Sequence, residues 1–216
     1  SIKIPGNAIN LDGVDDHVDI GALYENISGA FTMEAWVKLE AYTSNGNVVG
    51  WPRIFDLGQG TGDDNLLFAF SGVEGKLTLG TYVGNTATTV QAADPAPLNE
   101  WFHAAAVNDG AGNAYLYING VLVASATGQN AAANEVRNSN FIGKSNFAQD
   151  SFTDGQIADA RIWNVARSAD EIAANFDQQL TGNETGLVLN YTFEELDGTT
   201  VTDNTSNGND GTANGG

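Results

Sequence analysis

The chain of 216 residues has no cysteine, which rules out a disulfide framework and thiol chemistry. Basic residues are scarce: 8 Lys and Arg stand against 27 Asp and Glu, a formal charge of -19. Phosphate binding needs a basic footprint, so the composition argues against nucleic acid and against an anionic membrane surface. Cations are the natural partners of such a field, which also serves solubility. No run of about 18 apolar residues occurs, so membrane insertion as a helix is not expected. No signal-peptide pattern is present, and Ser1 reads as a mature start or an artificial boundary.

What remains is a vocabulary of strands and turns. There are 26 glycines and many Thr, Asn, Val and Tyr. Strands are expected at 8–11, 17–20, 31–39, 48–57, 66–70, 76–83, 88–92, 100–107, 114–118, 121–126, 156–163 and 187–193, with a short start at 141–143. Phe31 to Leu39 alternates cleanly, with Thr32, Glu34, Trp36 and Lys38 on the polar face, and reads as a half-buried strand. Asn119-Gly120 between two apolar runs is a hairpin signal. One helix is expected after Ser168, whose capping box is completed by Glu171 and whose apolar stripe is Ile172, Phe176 and Leu180. About a dozen strands and one helix near the C-terminus predict an all-β fold, a two-sheet antiparallel sandwich. The whole of 1–216 reads as one domain, with the segment from Asp203 either ordered or frayed.

Oxygen donors gather in three places. The turn Asp12-Gly13-Val14-Asp15-Asp16 offers three aspartates as a possible cation site, though it is not an EF-hand loop. The Gly-rich turn QGTGDDN carries Asp63, Asp64 and Asn65. The polar loop 144–155 carries Ser145, Asn146, Gln149, Asp150 and Asp154, and is the best candidate for a site. Phe147, Phe152, Trp51 and Tyr42 lie near these loops and offer rings for stacking or for packing their own loops.

Seven pieces occur in an order that resembles the laminin G-like, concanavalin A-like jelly-roll domains, in particular their bacterial, pentraxin-related branch. They are LDGVDDHVDIG, FTMEAWVKL, EWFHAAAV, AYLYINGVLVA, FIGKS, GQIADARIWNVARSADEI and GLVLNYTFEELDGTTVTDNTSNGNDGT. The resemblance implies a jelly roll and a calcium site made by two loops. Asp63, Asp64 and Asn65 would supply one side; Asn146, Gln149 and Asp150 would supply the other. Calcium takes six to eight oxygens, and all six side chains are oxygen donors. Apart from the resemblance, the residues themselves offer Asp12, Asp15 and Asp16 for a second ion, the alternative being a plain solvated turn. Ser145, Phe147 and Trp51 would contact a carbohydrate.

The expectation is a calcium-dependent glycan-binding module of a secreted or cell-surface bacterial adhesin or exoprotein, part of a larger multidomain protein. The alternative is a structural or protein-binding spacer with structural calcium. Glycoside hydrolysis is disfavoured. Such enzymes use two carboxylates about 5–9 Å apart, whereas Asp63-Asp64 and Glu194-Glu195 are adjacent pairs. His17 and His103 are the only histidines, no G-x-S-x-G occurs, and His103 reads as a satisfied core or interface histidine.

Overall fold

The computed structural model describes residues 2–23, 27–194 and 196–215. Glu195 of the Glu194-Glu195 pair lies outside them. In chain order the strands are β1 (Ile9–Asp12), β2 (His17–Asp19), β3 (Phe31–Ala41), β4 (Arg53–Gly58), β5 (Leu66–Ser71), β6 (Lys76–Val83), β7 (Thr86–Pro95) and β8 (Phe102–Asn108). They continue with β9 (Asn113–Ile118), β10 (Val121–Thr127), β11 (Ser139–Ile142) and β12 (Asp154–Trp163). Helix α1 (Ala169–Asn175) follows, then β13 (Leu187–Tyr191), β14 (Leu196–Asp197), β15 (Thr200–Val201) and β16 (Gly211–Asn214).

The strands form two antiparallel sheets. One runs β1-β12-β3-β8-β9-β10, with β13 also on β12; the other runs β14-β15-β16-β2-β11-β4-β5-β6-β7. This is the sandwich expected from the sequence. Phe31, Met33, Val37, Phe55, Leu57, Phe68, Phe70, Leu116 and Ile162 belong to one continuous buried core between them. Because β16 pairs with β2, the segment from Asp203 is tied into the second sheet. No helix among the described residues is long and apolar enough to cross a membrane.

Two expectations need correcting. Strand β3 is not half-buried: Thr32, Glu34 and Trp36, on its polar-patterned face, are as buried as its core residues. Helix α1 and the chain that follows it cover that face, and Trp36 Nε1 donates to the Phe176 carbonyl at 2.9 Å. The apolar stripe is also shorter as helix than it reads. Ser168 caps α1 with the full capping box, but the helix ends at Phe176, so Leu180 is buried from beyond it. The Asn119-Gly120 hairpin forms as expected, with φ of 49° and 76° at the two turn residues, the pair of positive angles a type I′ turn demands.

Under α1 lies a buried ionic cluster. Glu34, Arg161 and His103 are fully buried and Arg167 nearly so. Glu34 Oε1 accepts from Trp163 Nε1 at 2.8 Å and from Arg167 Nη1 at 3.1 Å. Arg161 Nη1 lies 3.7 Å from it. His103 Nε2 approaches Glu34 Oε2 to 3.3 Å without hydrogen-bond alignment, so His103 is buried but not satisfied, contrary to the sequence reading. Burial would raise the Glu34 carboxyl, but the His103 contact and the Arg161 and Arg167 charges outweigh it and hold the group well below the usual carboxylate range.

Candidate functional site

The 144–153 loop folds over the outer face of the second sheet, above β4, β5 and β11. Phe55 and Leu57 of β4 point into the core, so Asp56 between them points outward. Arg53 belongs on the opposite side from Asp56 by strict alternation. It does not lie there, because β4 carries a bulge between Arg53 and Phe55: Arg53 pairs with Ala69 while Phe55 pairs with Phe68. The extra residue, Ile54, turns Arg53 onto the face of Asp56.

The two side chains form the centre of the site. Arg53 Nε donates to Asp56 Oδ2 at 2.9 Å, and Arg53 Nη2 to Asp150 Oδ2 at 2.7 Å. Arg53 Nη1 donates to the Trp51 carbonyl at 2.7 Å. Asp56 Oδ1 accepts from the side-chain amides of Asn65 and Asn146, both at 2.9 Å. Asp56 Oδ2 also accepts from the Asn146 backbone N–H at 3.1 Å. Ser145 Oγ donates to Asp150 Oδ2 at 2.8 Å. Arg53 is 2% exposed, Asp56 0% and Asp150 7%. Burial pushes the Asp150 carboxyl up, against the pull of Arg53 and the Ser145 hydroxyl. Gly58 is required here by space: a Cβ on it would stand 2.3 Å from the Asn65 amide nitrogen. Phe147 closes the cluster from outside, its ring centroid 5.8 Å from the Arg53 guanidinium carbon and 5.9 Å from the Tyr82 ring.

Of the six residues expected to share a calcium ion, Asn65, Asn146 and Asp150 come together around Arg53 and Asp56. Asp64, Asp63 and Gln149 do not join them. Asp64 takes a left-handed conformation, φ 53°, and its carboxylate accepts from the Gly84 N–H at 2.6 Å. Its carbonyl accepts from Arg137 Nε at 2.8 Å. Asp63 is exposed, and its N–H donates to Asn65 Oδ1. Gln149 is exposed and contributes its carbonyl to Asn47 Nδ2. The donor set therefore does not fit a calcium cage. Asn65 and Asn146 present N–H rather than oxygen to Asp56, and the guanidinium already bonds both carboxylates. Arg53 and Asp56 were missed in the sequence because the bulge breaks the two-residue period.

Phe147 lies at the rim beside Tyr82, and Ser145 Oγ accepts from the Phe147 N–H at 2.9 Å. Trp51 is half-buried at φ 65°, and serves the cluster through its carbonyl. Tyr42 donates its hydroxyl to the Ala96 carbonyl, a packing role, and the carbonyl of Phe152 accepts from Ser44 Oγ.

The turn at Asp12, Asp15 and Asp16 is different. Each offers a carboxylate oxygen, and these lie within 4.8 Å of one another. Two oxygens that far apart can each stand about 2.4 Å from one ion, within the calcium range. Asp12 Oδ1 accepts from the Val14, Asp15 and Asp16 N–H groups, and the Val14 bond foremost lowers its carboxyl below the usual range. Asp154 pairs with Asp12 across β1 and β12. Burial raises its carboxyl, and the nearby Glu40 and Asp12 charges raise it further. The donors are all hard oxygens, a set that fits calcium.

Residues 12–173 match the family described as the concanavalin A-like lectin/glucanases superfamily. No curated protein matches the chain. Among solved structures, a Bacteroides ovatus protein described as carbohydrate-binding is similar at TM-score 0.65 and 18% identity, over 94% of this chain and 59% of that one. The chain thus spans 59% of that relative's length. A heptameric SAP-like pentraxin from Limulus polyphemus is similar at TM-score 0.55 and 17% identity, over 80% and 79%. Domain 4 of a GH43 extracellular arabinanase from Geobacillus stearothermophilus, in complex with arabinotriose, is similar at 0.56 and 21%, over 70% and 68%. These likenesses are likenesses of fold.

Proposed function

The chain belongs to the concanavalin A-like lectin/glucanases superfamily, and from that membership we propose that it is a non-catalytic glycan-binding module whose ligand meets the rim at Phe147 and Tyr82. The observation that carries this reading is the pair of half-buried rings, 5.9 Å apart and inclined at 45°, beside Ser145, Asn146 and Asp150. An aromatic face takes the C–H face of a sugar, while neighbouring hydroxyl, amide and carboxylate groups take its hydroxyls. The carbohydrate binding described for the Bacteroides ovatus protein and the arabinotriose complex support the same class of ligand. A non-catalytic role is supported by the engagement of Asp56 and Asp150 with one guanidinium, which makes them a neutralised pair.

Calcium enters this reading at the Asp12, Asp15 and Asp16 turn. There an ion would relieve the mutual repulsion of the carboxylates and fix the β1–β2 turn beside Asp154. The reading also puts the module outside the cell, within a larger adhesin or exoprotein.

A broad glycan array in millimolar calcium tests the proposal. Binding by the parent chain is expected, with loss of at least about tenfold in affinity for a Phe147→Ala variant that remains folded at the assay temperature. A folded parent that stays silent across the array sinks the glycan reading. One observation favours a spacer instead: the polar atoms of Ser145, Asn146 and Asp150 already bond within the protein. Silence on the array would leave that second reading standing.

A further inference from the structure

Arg53 sits where a cation shared by two loops would be needed. It is nearly fully buried, with two nitrogens on two carboxylates that lie 94 residues apart in sequence, 56 and 150. We propose that this guanidinium is a built-in cation which closes the rim to divalent metal, so that the rim keeps its shape without calcium and becomes a calcium site only when Arg53 is replaced.

Electrostatics and geometry both point this way. Two carboxylates buried side by side are unfavourable unless a cation or a proton intervenes. Arg53 meets that need with a fixed fork that reaches both at 2.7 and 2.9 Å. It is held in place from the backbone side by the Trp51 carbonyl and overlain by the Phe147 ring. Ile54, the bulged residue, is what delivers it. Without the guanidinium, Asp56, Asp150, Ser145 and the Trp51 carbonyl would be left as oxygen donors around one vacated space. Waters entering the space would bring the oxygens to the six to eight that calcium accepts. The proposal concerns which cation holds the rim, and stands whether or not the rim binds glycan.

The test uses a background with Asp15→Asn and Asp16→Asn, so that the acidic turn does not report. In that background the melting temperature is expected to be the same in EDTA and in about 10 mM calcium. Adding Arg53→Met should lower it in EDTA, and about 10 mM calcium should restore roughly 3 to 6 °C, the effect of a millimolar site on a chain of this size. Further adding Asp56→Asn should abolish the restoration, and Arg53→Lys, which keeps a cation, should show none. Calcium indifference of a folded Arg53→Met variant overturns the proposal. If that variant does not fold, terbium luminescence of the background protein decides. Silence supports a closed rim. Emission that disappears with Asp150→Asn shows a metal bound there beside Arg53, and the proposal fails.

Discussion

Arg53 and Asp150, 97 residues apart in the chain, meet at 2.7 Å between Nη2 and Oδ2, and that contact joins the second sheet to the loop that covers it. Glu34 plays the matching part on the first sheet, with Arg161 and Arg167 beneath α1. Each sheet therefore carries a buried ionic cluster on its outer face, opposite the shared core.

Replacing Glu34 by Gln should be among the most damaging single changes. It leaves Arg167 buried without its carboxylate and takes one of two from beside Arg161, which keeps Asp159, a loss of about 3–5 kcal/mol. Urea unfolding measures it, and a loss below about 1 kcal/mol would show that the cluster is not energetically coupled.

The same residue gives a pH dependence with a definite sign. The folded Glu34 carboxyl is held below its ordinary value, so its contribution is fully present above the unfolded value, near 4.3, and is lost as pH falls below it. Unfolding free energy of the parent should drop between about pH 5 and 2 more steeply than that of Glu34→Gln. Parallel curves would contradict the assignment.

Gly58→Ala should destabilise by about 1–3 kcal/mol, the usual range for overpacking, because its Cβ would meet the Asn65 amide at 2.3 Å. Its φ is not in the left-handed region, so backbone strain does not contribute. Gly60→Ala is a poor control, since φ there is 138°; Gly6→Ala, in open space, should be near neutral. Thermal melts of both variants check the contrast.

Calcium at about 10 mM should raise the parental melting temperature by roughly 3 to 6 °C if the acidic turn holds an ion at millimolar affinity. Asp15→Asn with Asp16→Asn should remove the shift. Equal shifts in both proteins would move the ion elsewhere.

Helix α1 depends on its start. Ser168→Ala removes the acceptor for the Glu171 N–H at 3.2 Å and should cost about 1 kcal/mol. Denaturant midpoints resolve that, provided the slope is unchanged.

Much of the fold was legible because local chemistry dictated it. Asn119-Gly120 supplied the positive φ of its turn, Ser168 and Glu171 marked the helix start, and Phe31 to Leu39 displayed its core face. The covering of the other face of β3 was less visible. Glu34 and Thr32 read as solvent-facing, and their partners from Trp163, Val165 and Arg167, 129 to 133 residues away, make burial tolerable. The rim was half-legible. Asn65, Asn146 and Asp150 stood out as loop donors, whereas Arg53 and Asp56 were hidden inside an apolar strand whose register slips by one. Asp64 stands apart from them because its left-handed backbone turns its carboxylate toward Gly84.

The slip at Ile54 has a consequence for how distant cousins of this chain would be recognised. Two residues stand between guanidinium and carboxylate, and only the bulge lets the pair share a face: iron the strand flat at that spacing and the arginine is driven into the oily interior. Bulge and spacing should therefore be kept or lost together, since an arginine two positions from the carboxylate on a regular strand would serve the same face.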